Sequence, residues 1–202
     1  MKPSDWDEKY REAPERLWSA GPNMFVADRL AHHTPGRGVD LACGEGRNAV
    51  WLAERGWEMT GVDFSEVALE RARQMSSDVE WVLADVQERE PADQVDLVLI
   101  AYLQLVPEEL EMVVRRAATW LAPDGELFLI GHDRNNLEHG HGGPTREEVL
   151  WDLNLIREWV GGLQILEAQR VRRPVETPDG TRVAIDTLVR ALRAAFYKRG
   201  VP

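Results

Sequence analysis

A single cysteine, Cys43, in a chain of 202 residues excludes an intrachain disulfide and suits a reducing interior. No stretch approaches the ~18 consecutive apolar residues of a membrane span, and Met1 to Glu8 lack the apolar centre of a signal peptide. The expectation is a cytoplasmic protein with no membrane partner. Lys and Arg number 24 against 35 Asp and Glu, for a net charge of -11, and the cations gather into no long run. Tracking a phosphate backbone needs cations concentrated on one face, so no nucleic-acid partner is expected. Internal repeats and low-complexity linkers are also missing.

What the chain does have is alternation. Apolar runs at Gly38 to Cys43, Glu58 to Asp63, Val79 to Asp85, Val95 to Tyr102 and Glu126 to His132 read as strands. Between them, 48–54, 66–74 and 108–121 carry apolar residues at helical spacing, such as Leu110, Val113, Val114 and Ala117. Ser65 suits an N-cap, and Pro107 followed by two glutamates suits a helix start. Parallel strands need crossovers that return over the sheet, so the pattern predicts a doubly wound α/β fold with a mostly parallel sheet. The last third departs from it. A helix is expected from Thr145 to Val160, then two β-rich runs joined at Asp179-Gly180, a hairpin signal that predicts an antiparallel ending. The segment 131–144, rich in Gly and His, reads as the one long irregular loop. The working division is an N-terminal segment, 1–35, and a catalytic domain, 36–202.

Chemistry concentrates at the end of the first strand. Asp40 stands four residues ahead of Gly44 in Asp40-x-x-x-Gly44-x-Gly46, and Asn48 opens the helix behind the glycines. Glycines permit a tight turn and close approach of the backbone to a ligand, and a following helix N-terminus favours an electron-rich group. Asp63 ends the next strand about 20 residues on, the spacing at which a carboxylate takes the hydroxyls of a ribose. Asp85 ends the third. Each has a plainer reading: Asp40 as a cap on the turn amides, Asp63 as a cap for the helix begun at Ser65, the glycines as turn residues.

This element order, with Asp40, Gly44, Gly46, Asp63 and Asp85, resembles the class I S-adenosylmethionine-dependent methyltransferases over about residues 36–195. Gly44 to Asn48, with Trp6, Tyr10 and Trp18 upstream, is similar to a small bacterial branch related to tellurite-resistance and thiopurine methyltransferases. The resemblance implies a seven-stranded sheet whose hairpin inserts the last strand, with S-adenosylmethionine as cofactor. It implies that Asp40, Ala42 and the backbone at Gly44 and Gly46 hold the methionine portion, with Asn48 nearby. Asp63 would take the ribose, Phe64 would lie against adenine, Asp85 and Val86 would bind its edge, and Ala101 and Tyr102 would border the reacting methyl.

Two other functions compete. Gly44-x-Gly46-x-x-Ala49 also fits the dinucleotide fingerprint of an NAD(P)-dependent oxidoreductase, but Asp40, Asp85 and the hairpin ending weigh against it, and no Tyr-x-x-x-Lys pair is present. A module that binds S-adenosylmethionine without chemistry is the other. For the acceptor, a small molecule reacting through S, Se, Te, O or N, the base candidates are His132, Tyr102 and Asp133; a thiolate or selenide needs no base, whereas a hydroxyl or amine does. Trp6, Tyr10 and Trp18 are expected in a lid over the site. His132, Asp133, His139 and His141 match no metal-ligand spacing, so no metal is expected. Cys43 reads as a small packed residue, and Trp151 and Trp159 as packing. The chain is expected to be a monomer or homodimer.

Overall fold

The computed structural model describes residues 3–13, 21–91 and 93–195. Trp18, one of the expected lid residues, lies outside them. Seven strands form one sheet in the order β3-β2-β1-β4-β5-β7-β6: β1 Arg37–Leu41, β2 Glu58–Asp63, β3 Val79–Leu83, β4 Val95–Ala101, β5 Leu121–His132, β6 Gln164–Thr177 and β7 Gly180–Leu192. Helices α1 (Pro3–Glu12), α2 (Met24–Leu30), α3 (Arg47–Ala53), α4 (Glu66–Met75), α5 (Pro107–Trp120), α6 (Asn136–His139) and α7 (Leu153–Trp159) fill the connections. By internal contact the chain divides into two compact units, residues 1–91 with 99–101, and 92–98 with 102–202.

In the first unit, β1, β2 and β3 pair in parallel, with Asp40 opposite Gly61 and Gly61 opposite Trp81. Leu41, Val62, Ala49, Leu52 and Leu69 are fully buried between sheet and helices. The Ser65 hydroxyl accepts from the Ala68 amide and starts α4 as its N-cap. The Asn23 carboxamide does the same for α2 through Phe25 and Val26. Trp81 lies flat over two glycines: a Cβ on Gly46 would come within 2.2 Å of its ring, and one on Gly61 within 2.4 Å.

In the second unit, β7 is antiparallel to both β5 and β6, so the closing strand inserts between them. The turn falls where Asp179-Gly180 predicts it, with Thr177 opposite Gly180. Phe128, Leu129, Ile130, Leu188 and Val189 form the core here. The expected helix from Thr145 to Val160 is much shorter. A 3-10 turn at Glu147–Val149 precedes α7, which starts only at Leu153 because the Asp152 carboxylate accepts from the Asn154 and Leu155 amides and caps it there. Trp151 is also claimed elsewhere: its amide donates to the His132 carbonyl at 2.8 Å, and its ring packs so closely on Gly131 that a Cβ there would sit 2.4 Å away. Trp151 and Trp159 are both buried, as packing residues.

The segment 131–144 is less irregular than its composition suggests. β5 continues through His132, α6 follows, and the Asn136 side chain ties the loop down by donating to the Gly142 carbonyl and accepting from the Ile185 amide, each at 2.7 Å. No helix among the described residues is long and apolar enough to cross a membrane.

Candidate active site

The turn after β1 is built from alternating left-handed residues: Ala42 at φ 58°, Gly44 at 56° and Gly46 at 79°. Gly46 donates to the Cys43 carbonyl and Cys43 to the Val62 carbonyl, each at 3.0 Å, which fixes the turn to β2. Burial pushes the Cys43 thiol well above its ordinary range, so it is a packed residue with no nucleophilic character.

Asp63 anchors this turn. One carboxylate oxygen accepts from the Gly44 amide at 2.8 Å, the other from the Ser65 amide at 2.9 Å. Burial raises its pKa, and the backbone amides of Ser65, Gly44 and Phe64 oppose the rise. Asp63 therefore holds the turn and the approach to α4, and each oxygen keeps a second lone pair. Phe64 beside it is half-buried.

Asp40 is in a different position. It is 1% exposed, and neither carboxylate oxygen has a hydrogen-bond partner. Burial raises its pKa to about 8, an effect that Arg47 and the Ala49 amide only partly oppose. No amide of the turn itself bonds this carboxylate, and the Ala49 amide of α3 is a backbone group that favours its ionised form. A buried acceptor pair without partners fits a ligand that brings a cation.

Asn48 is buried, and its side-chain oxygen accepts from the Asn23 amide at 2.8 Å, so in this structure it fixes the start of α2. Asp85 is half-buried and accepts from the Gln87 amide at 2.8 Å, with Val86 buried next to it. Helix α1 is wired to the same region. Asp7 accepts from the Ser65 hydroxyl at 2.5 Å, and Arg71 joins Glu45 of the glycine turn at 2.9 Å while donating to the Tyr10 and Ala13 carbonyls. Tyr10 is buried and Trp6 half-buried beside it, ring centroids 6.1 Å apart.

The second unit carries a separate polar cluster. Directly opposed residues share a sheet face, which places His132, Asp186 and Val171 in one row, with Arg173 diagonal to Asp186 on the same face. Tyr102 adopts a left-handed φ of 61° directly after β4, its ring 4.7 Å from that of His132. One Asp186 oxygen accepts from the Tyr102 hydroxyl and from Arg173 Nε, each at 2.8 Å; the other stands 3.3 Å from His132 Nδ1, misaligned for a hydrogen bond. Burial would raise the Asp186 carboxyl, but His132 and Arg173 outweigh it and hold the pKa below the usual value. Asp133 belongs to the opposite face, where Arg170, Thr187 and the Asn135 amide occupy it, so it is not available as a base. Among the described residues no group of three or more His, Cys, Asp and Glu is placed to hold a metal ion.

Residues 39–125 match the family described as the methyltransferase domain. The trans-aconitate 2-methyltransferase of Azoarcus sp. (strain BH72) is 39% identical over 107 residues, 51% of this chain and 41% of that one. Among solved structures, TehB from Haemophilus influenzae superposes with a TM-score of 0.72 at 16% identity, covering 96% of this chain and 68% of that one. The chain is thus similar to methyltransferases in sequence over part of its length, and the superposition shows a shared fold. The N-methyltransferase NodS from Bradyrhizobium japonicum, solved with S-adenosyl-L-homocysteine, superposes with a TM-score of 0.72 at 18% identity, over 96% of this chain and all (100%) of that one. The chain spans about half the length of the curated relatives it matches.

Sequence reasoning missed Asp186, Arg173, Arg71 and Glu45. The hairpin turn gives the β6–β7 register, but nothing local pairs Asp186 with His132, since β5 and β7 are 48 or more residues apart in the chain.

Proposed function

We infer that the protein transfers a methyl group from S-adenosylmethionine to a small-molecule acceptor. The observation that carries this reading is Asp40: a buried carboxylate with no partner, at the mouth of a glycine turn, suits the α-ammonium of the donor's methionine portion. When bound, the donor supplies an activated methyl on a sulfonium, a good leaving group for in-line displacement. The chain's residues bind and orient. Ala42, Gly44 and Gly46 bring backbone against the methionine portion, and Asp63 accepts the ribose hydroxyls while holding Gly44. Phe64, Asp85 and Val86 border the adenine. Correct orientation alone contributes up to ~7–11 kcal/mol in well-aligned systems, so no covalent nucleophile is needed.

On the acceptor side His132 is the proton-accepting group and Tyr102 its neighbour, with Ala101 preceding Tyr102 at the end of β4. Helix α1, within the N-terminal segment 1–35, excludes water through Trp6 and Tyr10, and the remainder, 36–202, is the catalytic domain. The protein acts in the cytoplasm, as a monomer or homodimer.

Thermal melting with S-adenosylhomocysteine tests this. The ligand raises the melting temperature of the wild type, and Asp63→Ala loses most of that rise. Stabilisation by NADH in its place would favour an oxidoreductase, and donor binding without turnover of any acceptor would favour a binding module.

A further inference from the structure

We propose that Asp186 is a positioning residue that fixes His132 with its proton on Nδ1, and that the acceptor is therefore a hydroxyl or N–H compound that keeps its proton at neutral pH. This rests on the methyl-transfer reading and extends it to the acceptor class. His132 Nδ1 and Asp186 Oδ1 are both enclosed, both without a hydrogen-bond partner, and 3.3 Å apart. Leaving a buried polar atom unsatisfied is costly, and here two such atoms face each other, one small ring rotation from bonding. Catalytic hydrogen bonds are often loose in this way before ligands bind.

Among the described residues it is His132 Nδ1 that faces Oδ1. The other Asp186 oxygen is held from two sides, by Tyr102 of the segment after β4 and by Arg173 of β6, so the carboxylate cannot turn away from His132. Arg173, itself over the Tyr102 ring at 5.4 Å, keeps the carboxylate ionised. Asp186, Arg173 and Tyr102 are the charged and titratable groups facing the imidazole from β7, β6 and the end of β4. An ionised carboxylate at Nδ1 selects the Nδ1–H tautomer and leaves the Nε2 lone pair basic. Tyr102 holds a left-handed backbone, unfavourable for a residue of this size, and places its ring on His132 and its hydroxyl on Asp186.

A base so arranged is superfluous for a thiolate, selenide or carboxylate, which are already ionised or readily so. It is required for a phenol, an enol or a heterocyclic N–H. The acceptor's proton passes to His132 Nε2, the electron pair of its oxygen or nitrogen forms the new bond to the methyl carbon, and the carbon–sulfur pair leaves on sulfur, making the neutral thioether. Solvent then removes the proton from the imidazolium.

Nitrogen-detected NMR of the protein saturated with S-adenosylhomocysteine tests the device before any acceptor is known. Wild type shows His132 as the Nδ1–H tautomer, and Asp186→Asn lowers its proton affinity about tenfold; an Nε2–H tautomer, or a titration unmoved by Asp186→Asn, overturns the proposal. Binding of S-adenosylhomocysteine in the same samples reports separately on the methyl-transfer reading, and Asp186→Glu guards against a folding defect by restoring the titration. In a panel of phenols, heterocyclic N–H compounds, thiols and carboxylic acids, the protein methylates members of the first two classes. With them Asp186→Asn lowers kcat tenfold to a hundredfold, keeps KM within twofold and flattens the rising limb of the pH profile. Turnover confined to thiols or carboxylates overturns the proposal.

Discussion

The Arg71 guanidinium joins Glu45, inside the glycine turn, at 2.9 Å while holding the Tyr10 and Ala13 carbonyls at the end of α1. One side chain thus links the N-terminal helix to the donor cradle, and Asp7 on Ser65 makes a second link one turn earlier. Linkage between two such sites is reciprocal: if the donor orders the turn, it also secures the helix.

Arg71→Ala is therefore expected to weaken S-adenosylhomocysteine about fivefold to thirtyfold, the range of a coupling near 1–2 kcal/mol. It is also expected to make α1 more sensitive to limited proteolysis, in a way that ligand no longer suppresses. Titration calorimetry and a proteolysis time course measure both. An unchanged Kd with unchanged protection would remove the link.

On the proposed reading Asp40 is expected to make donor binding pH-dependent. With its pKa raised to about 8 by burial, it carries a proton at neutral pH before the donor arrives. An ammonium beside it favours the ionised form, so binding at pH 7 should release close to one proton, about 0.9 per site. Calorimetry in two buffers of different ionisation enthalpy reads this directly. The same shift acts on stability. The unfolded chain ionises this group near 3.8 and the folded chain near 8, so the unliganded fold loses stability as pH rises between those values. Asp40→Asn is expected to flatten that loss in pH-dependent melting.

Gly46→Ala should destabilise through two causes, a left-handed φ and a Cβ 2.2 Å from the Trp81 ring. Together they amount to about 2–3 kcal/mol, or roughly 4–12 °C in melting temperature for a chain of this size. Adding Trp81→Ala should relieve the steric share and leave the backbone share. If Gly46→Ala melts like the wild type, Trp81 does not lie where the structure puts it.

Much of this was legible in the sequence, for local reasons. Periodicity located β1 to β4 to within a residue or two, Ser65 announced α4, and Asp179-Gly180 announced the hairpin, because each signal lies within one element; β5 starts at Leu121, ahead of the expected Glu126. The glycine turn was legible for the same reason, and Asp63, at the end of the next strand, joins it by accepting from the Gly44 amide. The late helix is shorter than expected because Asp152, directly ahead of Leu153, Leu155 and Ile156, caps it instead of continuing a longer run. The partners of His132 were hidden for another reason. Asp186 and Arg173 reach it through strand register, and register between distant strands is a tertiary fact.

The account depends most on the donor's amino-acid portion meeting Asp40. Titration calorimetry with S-adenosylhomocysteine and with 5′-methylthioadenosine, which lacks that portion, isolates the contact. The account predicts that wild type binds the first more tightly, that Asp40→Asn weakens it at least tenfold, and that the second is held equally by both proteins. Equal affinities of Asp40→Asn and wild type for S-adenosylhomocysteine, or binding of NADH in its place, would contradict it.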